Sequence, residues 1–216
     1  MATNLKSKNS KSKIAAWESI EEFGNYPSQL HRFILVYNSI KKENNGKARV
    51  LDIGCGLGGG LQYLAERELF VVGADISSKS LEQAKKRAKN VLKCDATNLP
   101  FQKNSFDYIV CTSTLHHLLG NQRERATKEI RRVMSKCGLC AIAVFSDKDG
   151  GFGHGGEEEE NTFEAAPGIN IHYFAETELK ELFSEFKILH LSHDTGVDNT
   201  HAHPHTHNYW TLICEK

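Results

Sequence analysis

A glycine-rich stretch follows the first apolar run of the sequence and reads DIGCGLGGG at 52–60. Glycines after the first strand of an open α/β sheet let a ligand approach the backbone, where the N–H groups of the next helix point at it. The spacing of Gly54, Gly56 and Gly59 also satisfies the fingerprint of nicotinamide dehydrogenases. Asp52 disfavours that interpretation, because a carboxylate in the cleft repels a pyrophosphate and attracts a positively charged ligand.

Two further acids are expected at the ends of the next two strands. Asp75 lies 21 residues after Gly54, where an acid can accept both hydroxyls of a ribose. Asp95 lies twenty residues further on, where it can accept a hydrogen from an adenine amino group. The glycine loop contains no Lys or Arg that would bind phosphate. Together these residues indicate an adenosine ligand without phosphates that carries an amino acid tail and a cation, which is S-adenosylmethionine.

The segments that must position these residues alternate between β-branched runs and helical periodicity. We predict strands at 48–53, 69–74, 91–94, 106–111 and 139–145, with two more near 186–192 and 208–214. We predict helices at 59–67, 78–89, 122–135 and 176–185. Nearly continuous apolar strands that alternate with helices favour an α/β fold, in which a parallel sheet is covered on both faces.

The sequence predicts a single domain over 14–216, preceded by a disordered tail at 1–13 that lacks the apolar stretch of a secretory signal. Two amphipathic helices within 14–45 are expected to form an N-terminal helical cap. A glycine-rich segment at 146–162 interrupts the alternation and is expected to be a mobile insertion. Two interpretations remain open for it. It is a solvated linker, or a lid that closes over the acceptor with Phe152 excluding water.

Four runs resemble the motifs of class I S-adenosylmethionine-dependent methyltransferases: VLDIGCGLG at 50–58, VGADIS at 72–77, CDATNLPF at 94–101 and SFDYIV at 105–110. The turn before the fifth strand departs from the family pattern, because Cys137 replaces the usual proline. The resemblance implies a Rossmann-like class I methyltransferase fold. This fold has a seven-stranded, mostly parallel sheet with helices on both faces and an antiparallel last strand. The resemblance also implies that S-adenosyl-L-methionine binds over the ends of the first four strands.

The same resemblance implies a role for individual residues. The glycine loop should face the methionine part of the cofactor, Asp75 the ribose, and Asp95 with Ala96 the adenine. Residues just past the fourth strand should line the pocket near the sulfonium. The expected cofactor-binding set is Asp52, Gly54, Cys55, Gly56, Asp75, Ile76, Asp95, Ala96, Cys111 and Thr112.

Two adjacent histidines, His116 and His117, follow the fourth predicted strand, at the position that faces the methyl group in this family. Methyl transfer is an in-line displacement that needs a base only when the acceptor must lose a proton. Imidazole titrates near neutral pH, so these are the candidate catalytic residues. In the alternative interpretation, one histidine caps the next helix and the other packs in the core.

No metal site is assigned, although histidines are concentrated towards the C-terminal end. A divalent metal site, a lining for the acceptor pocket and a local structural role all remain open for these side chains. They are His190, His193, His201, His203, His205 and His207.

Composition restricts the partners. The 216 residues include 27 basic and 27 acidic side chains, a balance that argues against a nucleic acid partner. No apolar run reaches the roughly 18 residues of a membrane-spanning helix, so no membrane partner is expected. Most of the six cysteines lie in apolar runs, which indicates a reducing, cytoplasmic location. The oligomeric state is not predicted.

The leading hypothesis is therefore a methyltransferase that acts on a small-molecule acceptor by in-line displacement. A tRNA wobble-uridine methyltransferase is the alternative, because the runs LHHL at 115–118 and RERA at 123–126 resemble that subgroup. A non-catalytic adenosyl-ligand-binding partner protein is a further alternative.

Overall fold

A computed structural model describes residues 48–66, 69–198 and 205–216 of the chain. The predicted tail at 1–13 and the predicted helical cap at 14–45 lie outside these ranges, as do His201 and His203. None of the helices in the described ranges is long and apolar enough to cross a membrane.

The described ranges contain ten strands and four α-helices. In chain order, the strands are β1 (Arg49–Ile53), β2 (Phe70–Asp75), β3 (Val91–Lys93), β4 (Phe106–Thr112), β5 (Met134–Phe145), β6 (Glu157–Glu159), β7 (Thr162–Ala166), β8 (Ile169–His172), β9 (Lys187–Asp198) and β10 (His205–Glu215). The helices are α1 (Gly59–Ala65), α2 (Ser78–Ala84), α3 (Gly120–Val133) and α4 (Glu176–Leu182), with a 3₁₀-helix at Leu115–His117.

Seven strands form the main sheet in the order β3-β2-β1-β4-β5-β10-β9. The strands β1 to β5 run parallel, and β10 lies antiparallel between β5 and β9. This arrangement confirms the predicted class I methyltransferase fold with its antiparallel last strand. Because β1, β2 and β4 are parallel neighbours, the loops that follow them meet at one edge of the sheet.

Apolar side chains alternate between the two faces of this sheet because successive strand residues point to opposite sides. On one face, Leu51 and Ile109 belong to a buried cluster with Ile130 of α3. On the other face, Val50 belongs to a second cluster with Leu61 of α1. The sheet is therefore covered on both faces, as the continuous apolar strands predict.

Several element boundaries differ from those predicted. The helix expected to reach residue 89 ends at Ala84, and hydrogen-bonded turns continue the chain. The strand expected to begin at 139 begins five residues earlier, at Met134, and includes Cys137 at a φ of +57°. The family's usual proline could not adopt this positive φ, because its ring fixes φ near −65°.

The predicted insertion contains regular structure that the sequence analysis did not anticipate. The strands β6, β7 and β8 form a separate antiparallel sheet in that order. This small sheet begins inside the predicted segment 146–162 and ends at His172, beyond it. No alternating apolar pattern marks the first of these strands, because four consecutive glutamates occupy 157–160. The mobility of the segment stays a prediction.

Candidate functional site

The glycine loop after β1 has the conformation that its sequence requires. Gly54, Gly56 and Gly58 have φ angles of +73°, +51° and +82°, which glycine adopts at low cost. A Cβ at Gly54 would overlap Oγ1 of Thr114, and one at Gly58 would lie 2.9 Å from Cα of Ala84. A Cβ at Gly56 would meet no atom within 4 Å. Gly54 and Gly58 therefore permit close packing, whereas Gly56 borders open space that can accommodate a ligand.

The carboxylate of Asp75 at the end of β2 binds the glycine loop. Its Oδ2 accepts the backbone N–H of Gly56 at 2.8 Å, and its Oδ1 accepts that of Ser77 at 2.9 Å. Burial raises the pKa of Asp75, and the two backbone hydrogen bonds only partly offset this effect. A carboxylate accepts up to about four hydrogen bonds, so lone pairs remain for the two hydroxyls of a ribose.

The other predicted cofactor residues lie at the ends of neighbouring strands. Asp52 is buried in β1, and Thr112 is the last residue of β4, the strand that neighbours β1 in the sheet. Asp95 follows β3 by two residues, and its Oδ1 accepts the N–H of Thr97 at 2.8 Å. Burial raises the pKa of the Cys111 thiol to about 12, so this thiol is uncharged at neutral pH. The structure thus brings the ends of these strands to one edge, together with Cys55, Ile76 and Ala96 of the loops that follow β1, β2 and β3.

The two candidate catalytic histidines form one chain of hydrogen bonds. The backbone N–H of Phe145 lies 3.3 Å from Nδ1 of His116, which must therefore accept. Nε2 of His116 lies 3.1 Å from Nε2 of His117. Nδ1 of His117 lies 2.9 Å from the carbonyl oxygen of Asn170, to which it can only donate. One tautomer pair satisfies all three contacts: His116 donates from Nε2, and His117 donates from Nδ1.

The environment of His116 keeps it uncharged. Burial, followed by the nearby His117, His172 and His207, lowers its pKa well below the usual value of 6.5. Its ring stacks on Phe145 with centroids 4.5 Å apart. A general base needs a free nitrogen lone pair, and both ring nitrogens of His116 are engaged in this arrangement.

A cluster of ionisable groups, which sequence reasoning missed, connects the small sheet to the helices. Nη1 of Arg123 lies 2.9 Å from Oε1 of Glu159, and Nη2 lies 3.7 Å from Oε1 of Glu178. His172 contacts Glu178 through Nε2 at 2.8 Å and Oγ1 of Thr162 through Nδ1 at 2.8 Å. In the sequence, Arg123 stands out only as part of the RERA run. No pattern in the sequence indicates that it is buried or that its partner is one of four consecutive glutamates.

The side chains of His190, His193 and His207 make local contacts. His207 lies 3.0 Å from Oδ2 of Asp149, and Nε2 of His193 lies 3.0 Å from Oγ of Ser146. Nε2 of His190 lies 3.0 Å from Oγ of a serine two residues away. Within the described ranges, no three His, Cys, Asp or Glu side chains are grouped as metal ligands. These contacts favour the local structural role for the described histidines.

Comparison with known proteins supports the methyltransferase family that the sequence motifs resemble. Residues 51–142 match the family described as "Methyltransferase domain". The chain is 35% identical over 107 residues to the "Probable tRNA methyltransferase 9B" of Bos taurus, covering 49% of this chain and 23% of that protein. It is 34% identical over 99 residues to the "tRNA (carboxymethyluridine(34)-5-O)-methyltransferase" of Arabidopsis thaliana, covering 45% of this chain and 24% of that protein.

A similar solved structure is that of a SAM-dependent methyltransferase from Methanosarcina mazei. Its TM-score is 0.71 at 23% identity, covering 83% of this chain and 97% of that one. At this identity the likeness concerns the fold. The chain spans about a quarter of the length of the tRNA methyltransferases that it matches.

The names of these relatives correct one prediction. The expectation that a nucleic acid partner is unlikely is wrong, because the relatives include several tRNA methyltransferases. Net charge is a sum over the whole chain and does not report the charge of any one surface. A balanced composition therefore could not exclude a nucleic acid partner.

Proposed function

The chain belongs to the class I S-adenosylmethionine-dependent methyltransferases, and we propose that it methylates a carboxylate oxygen on a carboxymethyl-substituted uridine of tRNA. S-adenosyl-L-methionine is the cofactor. The tRNA acceptor is supported by the names of the relatives. The methyltransferase domain match over 51–142 includes the glycine loop, Asp75 and the histidine pair. The choice of a carboxylate rests on the chemistry of that pair.

The observation that carries the proposal is the closed hydrogen-bond chain from Phe145 through His116 and His117 to Asn170. A hydroxyl or amine acceptor loses a proton during methylation, and a base must receive it. Neither histidine has a free lone pair for this purpose in the observed arrangement. A carboxylic acid has a pKa of about 4 and is already ionised at neutral pH, so it can attack without a base.

The charges of the reaction also fit a buried site. When bound, S-adenosylmethionine supplies a methyl group on a sulfonium, and transfer to a carboxylate yields a neutral ester, a neutral thioether and no released proton. Opposite charges thus disappear as the new bond forms, and exclusion of water favours such a step. The end of β4 provides these surroundings, because Cys111, Leu115 and His116 are all buried.

We assign the cofactor to the edge where β1, β2, β3 and β4 end. Gly56 would border the methionine part, and the remaining lone pairs of Asp75 would accept the ribose hydroxyls. Asp95 and Ala96 would meet the adenine. Asp52, Gly54, Cys55, Ile76, Cys111 and Thr112 would complete the pocket.

The test uses the purified chain with methyl-tritiated S-adenosylmethionine and two tRNA preparations. One tRNA carries a carboxymethyl group on its wobble uridine, and the other is the same tRNA with an unmodified uridine. We expect label only in the first, and mild alkali should release it as methanol because methyl esters hydrolyse readily. Alkali-stable label, or equal labelling of both tRNAs, would contradict a carboxylate acceptor. Absence of transfer to any tRNA would contradict the proposed substrate class.

A further inference from the structure

A continuous group of aromatic rings leads from the histidine pair to the surface of the insertion. His116 stacks on Phe145, whose ring centroid lies 6.0 Å from that of Tyr173. Tyr173 in turn lies 5.7 Å from Phe152, and Phe163 lies 5.4 Å from Phe152. The interplanar angles of the last two pairs are 84° and 76°, the edge-to-face geometry that aromatic pairs prefer. Phe152 therefore packs against two aromatic rings, and one of them, Tyr173, connects it to the histidine pair through Phe145.

Phe152 differs from its neighbours in its exposure. Tyr173 is 5% exposed and Phe163 is 9% exposed, whereas Phe152 is 38% exposed. Burial of a phenylalanine side chain stabilises a fold, and the exposed part of the Phe152 ring contributes nothing to that stabilisation. Its ring thus presents an accessible apolar surface that is connected to His116 through Tyr173 and Phe145.

The backbone that carries Phe152 is held in place by a buried carboxylate. Asp149, with 2% of its side chain exposed, accepts the N–H of Gly151 at 2.9 Å through Oδ1. Its Oδ2 accepts the N–H of Asn208 at 2.7 Å and lies 3.0 Å from Nδ1 of His207. The N–H of Phe152 donates to the carbonyl oxygen of Asp149 at 3.1 Å. The loop is therefore anchored to β10, and the ring needs little ordering when a ligand binds.

Close packing behind the ring depends on a glycine. A Cβ at Gly151 would overlap Oη of Tyr173, so only glycine lets the turn lie against this side chain. Edge contacts with Tyr173 and Phe163 fix the orientation of the Phe152 ring. A fixed, exposed aromatic ring is the arrangement that proteins use to stack an unpaired nucleobase, since every base has a π-face.

We propose that Phe152 is the surface on which the pyrimidine ring of the acceptor nucleoside stacks, and this inference rests on the proposed function. Stacking would hold the base while the substituent that carries the carboxylate reaches the end of β4. Phe152 is then a specificity-determining residue that contacts the substrate and takes no part in bond formation.

The experiment compares three variants of the full chain. Phe152→Ala removes the ring, Phe152→Leu keeps apolar bulk without a π-face, and Phe152→Trp keeps and enlarges the π-face. Leu189→Ala is the matched control, because Leu189 is a 43% exposed apolar residue on the edge strand β9. The measurements are KM and kcat for the carboxymethyl-bearing tRNA, and the Kd of S-adenosylhomocysteine by calorimetry.

We expect KM for the tRNA to rise about 5- to 150-fold in the Ala and Leu variants, the range that corresponds to the loss of one stacked base. The Trp variant should restore KM, while kcat and the Kd of S-adenosylhomocysteine stay near the wild-type values in all variants. An unchanged KM in the Ala variant, or full activity of the Leu variant, would overturn the inference and leave the proposed function standing.

The two proposals can fail separately. If the wild-type chain transfers no methyl group to tRNA, the proposed function fails. Binding of the free nucleoside carboxymethyluridine is then measured by calorimetry with S-adenosylhomocysteine present. Weaker binding to the Ala and Leu variants than to the Trp variant still supports stacking at Phe152. Equal binding by all variants, or no binding by the wild type, overturns it.

Discussion

Arg123 and Glu159 form the ion pair that connects the small sheet to the main domain, with Nη1 and Oε1 2.9 Å apart. The guanidinium lies on α3 with 8% of its side chain exposed, and its Nη1 also donates to the carbonyl oxygen of Leu118 at 2.7 Å. The same glutamate oxygen accepts the N–H of Gly120 at 2.8 Å. One side chain of β6 therefore satisfies both the arginine and a backbone donor at the start of α3.

Replacement of Arg123 should destabilise the protein. Arg123→Met keeps much of the apolar stem but leaves Glu159 and the Leu118 carbonyl without their charged donor. We expect a loss of about 2–3 kcal/mol in the free energy of unfolding, at the low end for buried pairs because Glu159 is one-third exposed. The free energy of unfolding is measured by urea denaturation. Arg125→Met, an exposed position on the same helix, should change stability by less than about 0.5 kcal/mol. Equal effects of the two variants would contradict the role of the ion pair.

The sequence predicted the main sheet well because its signals are local. Each strand of the parallel core is an apolar run, and the loop glycines and the acids Asp52, Asp75 and Asp95 follow at fixed distances along the chain. These features depend on neighbours in sequence. Their arrangement at one edge then follows from the topology of parallel strands.

Contacts between distant segments could not be predicted in this way. Four consecutive glutamates at 157–160 identify no partner for any one of them, yet Glu159 lies against an arginine 36 residues earlier in the chain. Likewise, the position of His116 and His117 after the fourth strand predicts a general base. Their ring nitrogens are engaged in hydrogen bonds with Phe145 and Asn170, and no local sequence pattern connects these residues to the histidines.

Two glycines of the loop should respond differently to alanine. Gly54→Ala combines a positive φ with overlap at Thr114, so we expect a loss of about 2–5 kcal/mol in the free energy of unfolding. Gly56→Ala introduces strain only through the positive φ, so we expect a loss of about 1–2 kcal/mol in the free energy of unfolding. Its added methyl group would project into the proposed cofactor space, so calorimetry should show weaker binding of S-adenosylmethionine by a folded protein. Unchanged affinity in the Gly56 variant would place the cofactor elsewhere.

Asp75→Asn should weaken the binding of S-adenosylmethionine by about 1.5–3 kcal/mol, the range for hydrogen bonds to a charged group. Glu82→Gln on α2 is the control and should leave the affinity unchanged. Because burial raises the pKa of Asp75, the wild-type affinity should decline on acidification at a pH above the usual carboxyl value of about 4. Calorimetry across this range measures both effects. A normal affinity in the folded Asn variant would show that Asp75 does not bind the ribose.

Stability should depend on pH through His116. Its pKa is lowered in the folded protein, so the unfolded chain takes up a proton that the folded one does not bind. The contribution of His116 to the free energy of unfolding is fully present above a pH of about 6.5, the pKa of histidine in the unfolded chain. It is lost as the pH falls below this value, by up to about 1.4 kcal/mol per pH unit. Urea unfolding between pH 5 and pH 8 on the wild type and His116→Gln measures the slope. Identical slopes for both proteins would mean that the pKa of His116 is not lowered in the folded protein.

The last prediction concerns movement of the insertion between its two anchors, Asp149 and Glu159. A Cβ at Gly153 or Gly156 would meet nothing within 4 Å, so little packs against these two positions beyond the fixed Phe152 ring. We propose that residues 153–158 close over the acceptor and exclude water. Amide hydrogen exchange of this segment should stay fast with S-adenosylhomocysteine alone and slow at least about tenfold when carboxymethyl-bearing tRNA is added. Peptides from β1 serve as the control and should exchange slowly throughout. Equal, fast exchange of 153–158 in the free protein, with S-adenosylhomocysteine and with added tRNA would identify the segment as a solvated linker.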